Sequence, residues 1–245
     1  MTDLADLTAT EVLDGYRAKT FSPVEVMDAV LARVEKCGNL NAFITIVPEE
    51  AKAAAKKAAA MLQKGGELPP LFGLPYSVKD LTLTKGVRTT FGSLAFADFV
   101  PDEDAVAVAR AKAAGAILVG KTTTPEFGHK IHTAAPLFGL TLNPYDPTVT
   151  AGGSSGGAAV AVATGMGPIA LGTDGGGSVR IPSACCGTVG FKPTIGTVTN
   201  LQAGDLFSSN VHVAPMARNV RDTRLLFEAI RGFDRHDPYG QATFP

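Results

Sequence analysis

Along this chain, apolar positions fall into short periodic blocks that are separated by glycine and proline. Thr8 with Glu11, and Ser22 with Glu25, have the spacing of a capping box, and Pro23 suits a first helical turn. Val24, Met27, Leu31 and Val34 then recur at helical spacing and predict one inward face. Residues 48–63 are rich in alanine and lysine and stop at Gly65 and Gly66, which predicts a third helix. After Pro69 and Pro70 the period changes. Residues 74–83 (LPYSVKDLTL) read as a strand, 104–114 as an alanine-rich helix closed by Gly115, and 116–119 (AILV) as a buried strand. Strand, helix, strand is a right-handed βαβ unit, so an α/β fold follows, with a parallel or mixed sheet and helices on its faces.

The second half is dominated by AGGSSGGAAVAVATGMGPIALGTDGGGSVRIPS, residues 151–183. Residues 156–164 suit a helix of small side chains that lets backbones approach closely, 169–171 a short buried strand, and 174–178 a loop. Residues 189–191 return to the sheet, and 219–231 suit a last amphipathic helix. No linker-like segment divides the 245 residues, so a single domain over 1–245 is expected.

Composition narrows the function class. The chain is 45% hydrophobic and 18% charged with a net charge of −1, a mean hydropathy of +0.16 and a pI of about 6.4. That balance leaves no basic footprint for nucleic acid or anionic lipid, and points to a small-molecule or protein partner. The N-terminus carries aspartates where a signal peptide needs basic residues, and Cys37, Cys185 and Cys186 read as reduced thiols, so a cytoplasmic protein is expected. The uncharged run 147–173 is too rich in Gly, Ser and Thr, and too poor in large aliphatics, to predict a membrane span.

What the two Gly/Ser clusters do is a matter of spacing. No Walker-type match exists, and the first cluster follows the turn-like NPYDPTVTA rather than the strand a dinucleotide fingerprint requires. Gly152 to Gly156 satisfies Gly-x-Ser-x-Gly, which would make Ser154 an elbow nucleophile with His212 or His236 as base, but a preceding hydrophobic strand is missing. His129 and His132 are spaced for a metal without a further ligand cluster, so no metal or cofactor is expected. In the second cluster, the backbone N–H groups of Gly175, Gly176, Gly177 and Ser178 can converge as an anion nest beside the Ser178 hydroxyl. A serine needs a base, and neither cluster holds a histidine. Lys79, buried in a strand, would lose its charge readily and could take the Ser178 proton through Ser154 or Ser155.

These blocks resemble the amidase-signature family. The run GGSSGGAAVAVATGMGPIALGTDGGGSVRIPSACCGTVGFKPT resembles its signature, and SVKD, GAILVGKTTTPEF and LFGLTLNPYDPTVTAGGSSGG its flanking blocks, with 24 positions from Ser154 to Ser178. The resemblance implies a large mixed sheet flanked by helices and a Ser-cis-Ser-Lys triad. In it Lys79 is the base, Ser154 the bridging serine and Ser178 the nucleophile; Ser155 and Arg180 give support, and the amides of Gly175, Gly176, Gly177 and Ser178 form the oxyanion hole. It implies hydrolysis of carboxamide C–N bonds through an acyl-enzyme, without cofactor. As alternatives it offers the glutamine-amidase subunit of a tRNA-dependent amidotransferase, or a non-catalytic partner chain. Family members usually carry a larger residue at the position of Gly175. Their chains also continue past the equivalent of Pro245, so a fold incomplete at its C-terminal side is expected, with a homo-oligomer or a complementing C-terminal chain to cover it.

Overall fold

In a computed structural model of the chain, residues 3–201 and 210–240 are described. Two capped helices open it: α1 (Ala9–Ala18) with the Thr8/Glu11 box and α2 (Pro23–Lys36) with the Ser22/Glu25 box and Pro23 at its start. The inward face of α2 is rotated from the predicted one. Val26 and Val30 join Met27 and Val34 in the core, while Val24 and Leu31 are only half-buried. Strand β1 (Phe43–Ile46) and helix α3 (Pro48–Lys64) follow, and α2 packs on α3.

The centre is β2 (Pro75–Lys79), α4 (Val106–Ala113) and β3 (Ile117–Thr122), and β2 and β3 pair in parallel as the βαβ pattern requires. The predicted strand 74–83 is too long. The chain leaves the sheet after Lys79 through a turn closed by the Thr82 amide on the Lys79 carbonyl at 3.0 Å, so Lys79 is the last residue of its strand. Beyond a small hairpin, β4 (Ala134–Ala135) with β5 (Gly139–Leu140), come α5 (Gly156–Ala163) and β6 (Ile169–Asp174), which pairs in parallel with the other side of β2. Then α6 (Arg180–Cys185), β7 (Val189–Gly190), β8 (His212–Ala217) and α7 (Val220–Ile230) complete the described chain.

The main sheet has the order β1-β3-β2-β6-β8-β7, parallel at its centre and antiparallel at both flanks. From β2 the chain crosses to β3 on one side and then returns to β6 on the other. Two right-handed crossovers running in opposite directions put α4 and α5 on opposite faces. Strand β8 escapes a hydrophobic-pattern reading because Pro215 interrupts it. The proline is accommodated because β7, only two residues long, leaves little of that strand edge to pair. Helix α5 is buried over 156–162 and packs on β2, β3, β6 and β8. Its opening glycines permit that approach: a Cβ at Gly157 would lie 2.3 Å from Thr123 Oγ1 and 2.5 Å from the Ala42 carbonyl oxygen.

The two ends of the chain are tied by one buried carboxylate. Asp222, at the start of α7, accepts from the amides of Ala9 (2.8 Å) and Thr10 (3.1 Å) and from Thr10 Oγ1 (2.7 Å), so α7 supplies the anion that the open amides of α1 favour. Asp222→Ala strands these donors and is expected to cost about 3 kcal/mol, read as a lower urea midpoint at unchanged m-value.

Candidate active site

Three strand and helix ends build the site. Parallel strands β2 and β6 end at Lys79 and Asp174, at the carboxyl edge of the sheet where the chain reverses its direction across it, and the start of α5 comes against them. At this edge the Lys79 ammonium nitrogen lies 2.6 Å from Ser154 Oγ, 2.9 Å from Thr173 Oγ1 and 3.4 Å from the Thr173 carbonyl oxygen. Lys79 is fully buried, and burial pushes its pKa well below the ordinary lysine value; the nearby Asp174 charge only partly opposes this. A neutral amine facing two hydroxyls is an arrangement that can accept a serine proton.

Ser154 follows a cis peptide bond from Gly153. Its hydroxyl is reached from the far side by the loop at Gly128, where a Cβ would lie 3.2 Å from Ser154 Oγ and 2.6 Å from a Leu81 methyl group; only glycine fits between them. Ser155 stands at the start of α5 but its side chain does not cap that helix. Instead its hydroxyl donates to the Thr173 carbonyl (3.2 Å) and accepts from the Thr173 amide (3.3 Å), while its own amide donates to the Ser178 carbonyl (3.0 Å). Ser155 therefore ties both Gly/Ser clusters to β6. Ser178 is half-buried, and its hydroxyl has no hydrogen bond among the described residues.

The glycine loop differs from the expected nest in one donor. The Gly177 amide is already engaged, donating to Asp174 Oδ1 at 2.8 Å. The amides of Gly175, Gly176 and Ser178 have no partner among the described residues and are the open donors. Arg180 explains the loop's shape. Its guanidinium forms a fork on Asp174, Nε to Oδ2 at 3.0 Å and Nη2 to Oδ1 at 2.9 Å, and the Val179 amide adds a further bond at 3.1 Å. Burial alone would raise the Asp174 carboxyl, but the Arg180 guanidinium and the amides of Val179, Gly177 and Arg180 hold it well below the usual carboxylate range. Asp174 and Thr173 are the residues that sequence reasoning missed. Asp174 reads as the first residue of a loop, although an acidic residue at a strand end, six positions before an arginine, is a signal for such a clamp.

The rival bases are elsewhere. His212 Nδ1 contacts the Asp174 carbonyl at 3.1 Å, and His236 pairs with Asp234 at 3.0 Å. The segment before Ser154 is a loop, not the strand of a nucleophile elbow. His132 contacts Thr150 Oγ1 at 3.0 Å, His129 contacts the Glu126 carbonyl, and no group of three or more His, Cys, Asp or Glu suited to a metal occurs among the described residues. The Cys186 thiol is buried and pushed up to about 12, first by that burial and then by Cys185, as suits packing. No helix of the described residues is long and apolar enough to cross a membrane.

A family model described as Amidase matches residues 25–244. A glutamyl-tRNA(Gln) amidotransferase subunit of Geobacter sp. (strain M21) is 42% identical over 96% of this chain and 48% of its own length. An acylamidase of Rhodococcus erythropolis is 40% identical over 95% of this chain and 49% of its own. Among solved structures, a bacterial aryl acylamidase of the amidase-signature enzymes superposes with a TM-score of 0.92 at 32% identity, covering 98% of this chain and 50% of that one. The chain thus spans about half the length of the relatives it matches. With the family model matched over most of its residues and its mixed sheet superposing on theirs, this chain belongs to the Amidase family, the amidase-signature enzymes.

Proposed function

We propose that the protein hydrolyses carboxamides through a covalent acyl-enzyme. The observation that carries this reading is the buried Lys79 amine, 2.6 Å from Ser154 Oγ and held well below its ordinary pKa. Ser178 Oγ attacks the carboxamide carbon. Its proton passes to Ser154 as the Ser154 proton passes to neutral Lys79, and the carbonyl oxygen becomes an anion that the amides of Gly175, Gly176 and Ser178 are available to hold. Collapse of the tetrahedral adduct breaks the C–N bond, and the proton returns along the same hydroxyl to the leaving nitrogen. Water then attacks the ester, is deprotonated by the same relay, and releases the carboxylic acid. No step requires a metal or cofactor.

A second reading is favoured by the 42% identity to an amidotransferase chain: the amide would then be that of glutamine, and the ammonia would pass to a partner enzyme. Ammonia release from glutamine that rises with partner chains and charged tRNA distinguishes it. The name of the amidotransferase-subunit relative supports a partner chain here, either another copy of this chain or a complementing one.

A fluorophosphonate that phosphorylates active serines is expected to modify Ser178, and Ser178→Ala to abolish the modification. No labelling together with no hydrolysis across a carboxamide panel would leave the chain a non-catalytic partner. Labelling is expected to rise with pH through the depressed Lys79 pKa, because only the neutral amine accepts a proton, and Lys79→Met should be slow at every pH. Asp174→Asn, which loosens the glycine loop and also removes a carboxylate that raises the Lys79 pKa, should slow labelling about a hundredfold when it is read at a pH where Lys79 is neutral in both chains.

Stability carries the same signature with a defined sign. Between the depressed folded pKa and the ordinary lysine value of 10.5, the unfolded chain binds a proton that the folded chain does not. Wild-type stability relative to Lys79→Met should therefore rise with pH across that window and stay level below it. Urea unfolding curves of the two chains that run parallel through the window would contradict a depressed Lys79.

A further inference from the structure

Beside Thr173, whose hydroxyl touches Lys79, opens a cavity of about 560 Å³ with phenylalanine walls. Phe91, Phe96, Phe99 and Phe127 line it together with Val211 and Val213. The rings are ordered against one another. Phe91 stacks on Phe127 (centroids 6.3 Å apart, planes 19° apart) and on Phe99 (5.9 Å, 23°), and Phe96 stands edge-on to all three. Asn200 and threonines supply the polar atoms of the wall, and its described residues include no charged side chain. The volume is that of a small-molecule pocket.

Backbone geometry points to a functional role for these walls. Phe91 (φ 54°) and Phe127 (φ 49°) are both in the left-handed region, which bulky L-residues seldom adopt. Two such residues are bonded directly, the Phe127 amide donating to the Phe91 carbonyl at 2.8 Å, and the Phe91 amide donates to the carbonyl of Asp80, next to Lys79. Gly128, immediately after Phe127, is the glycine against Ser154 Oγ. The unfavourable conformations thus set two stacked rings on loops anchored to the base on one side and to the bridging serine on the other. Phe127 nevertheless leaves 56% of its surface exposed and Phe96 and Phe99 are partly open, so the rings present contact area that the described fold does not cover.

We infer that this aromatic cavity is the specificity subsite for the carboxamide, and that it takes a flat, apolar group, an aryl ring or an equivalent, attached to the scissile amide. The inference rests on the amide-hydrolysis reading and adds the substrate class to it. A ring entering the cavity against this ordered set of phenylalanines would find stacked and edge-on partners already in place, and its attached amide would lie toward Thr173, beside Lys79. Among the described residues of these walls, a zwitterionic amide such as free glutamine would meet no opposite charge.

Binding can be read without turnover. On the Ser178→Ala chain, 4-fluorophenylacetamide titrated by fluorine NMR should bind at least about tenfold more tightly than acetamide competes for the same site, the contact of roughly one ring. Phe127→Gly removes a ring while giving the left-handed position to the residue that tolerates it, so its melting temperature should hold or rise while probe affinity falls about tenfold. Equal affinity in Phe127→Gly, no preference over acetamide, or no saturable binding at millimolar probe overturns the assignment. So does an unbound probe with self-association that Phe127→Gly abolishes, which would give the rings to a second copy of the chain. Fluorophosphonate labelling of the wild type reports on the amidase reading independently, so failure of the subsite and failure of the reading are distinguishable.

Discussion

The structure turns on an amine held in the core without a carboxylate in contact. Lys79 is fully buried at the end of β2, and its hydrogen-bond partners are two hydroxyls and a carbonyl. The contrast with the neighbouring strand is instructive. Lys121 on β3, paired in register with Val78, is equally buried, but it lies 3.9 Å from Asp80 and donates to the Thr82 carbonyl (2.6 Å) and Thr89 Oγ1 (2.8 Å). Burial lowers Lys121 to about 7 even with that carboxylate beside it, and raises Asp80. Asp80 in turn accepts from the Thr90 amide (3.0 Å) and hydroxyl, so this pair fastens the loop that follows Lys79. Of two adjacent buried lysines, one is spent on architecture and the other is left facing hydroxyls, the position from which a proton can be exchanged.

Around that amine the second cluster is organised by an anion rather than by glycine alone. Glycine gives the loop its freedom, and Asp174 removes it by collecting the Gly177 and Val179 amides and the Arg180 fork. An amide bonded to a carboxylate cannot serve a substrate oxygen, so the clamp fixes which donors are left: those of Gly175, Gly176 and Ser178. Preorganisation here comes from a buried charge whose cost is offset by four hydrogen-bonding groups of its own loop.

Lys79, Ser154, Ser155 and Ser178 were legible because each lies in a local pattern: a lysine within a strand-like block, and serines inside glycine clusters. The capping boxes of α1 and α2 and the βαβ core were legible for the same reason, their signals spanning only a few residues. What escaped depends on distant contacts. The end of β2 at Lys79 is a tertiary event, since LTL continues the apolar alternation after the chain has already turned. Strand β8 is masked by Pro215, and α2 offers two overlapping apolar sets, of which Val26, Met27, Val30 and Val34 face the core while Val24 and Leu31 flank it. Asp174 carried a signal in its spacing from Arg180, but nothing local marks Thr173, whose contact with Lys79 is made only when β2 and β6 pair.

The polar and aromatic halves of the site depend on each other through the dielectric. A lysine keeps a depressed pKa only while water is excluded, and the loops that carry Phe91 and Phe127 are tied to Asp80, next to Lys79, and run into Gly128, which abuts the Ser154 hydroxyl. A hydrophobic wall at this place therefore does two things at once: it offers surface to an apolar ligand, and it keeps solvent from the amine that would activate Ser178. An apolar group filling the cavity would dry the site further, strengthening both the hydroxyl relay and the pull of the open amides on a developing oxyanion. On this view ligand shape and base strength are coupled: a substrate that fits the rings also completes the environment in which Lys79 can act.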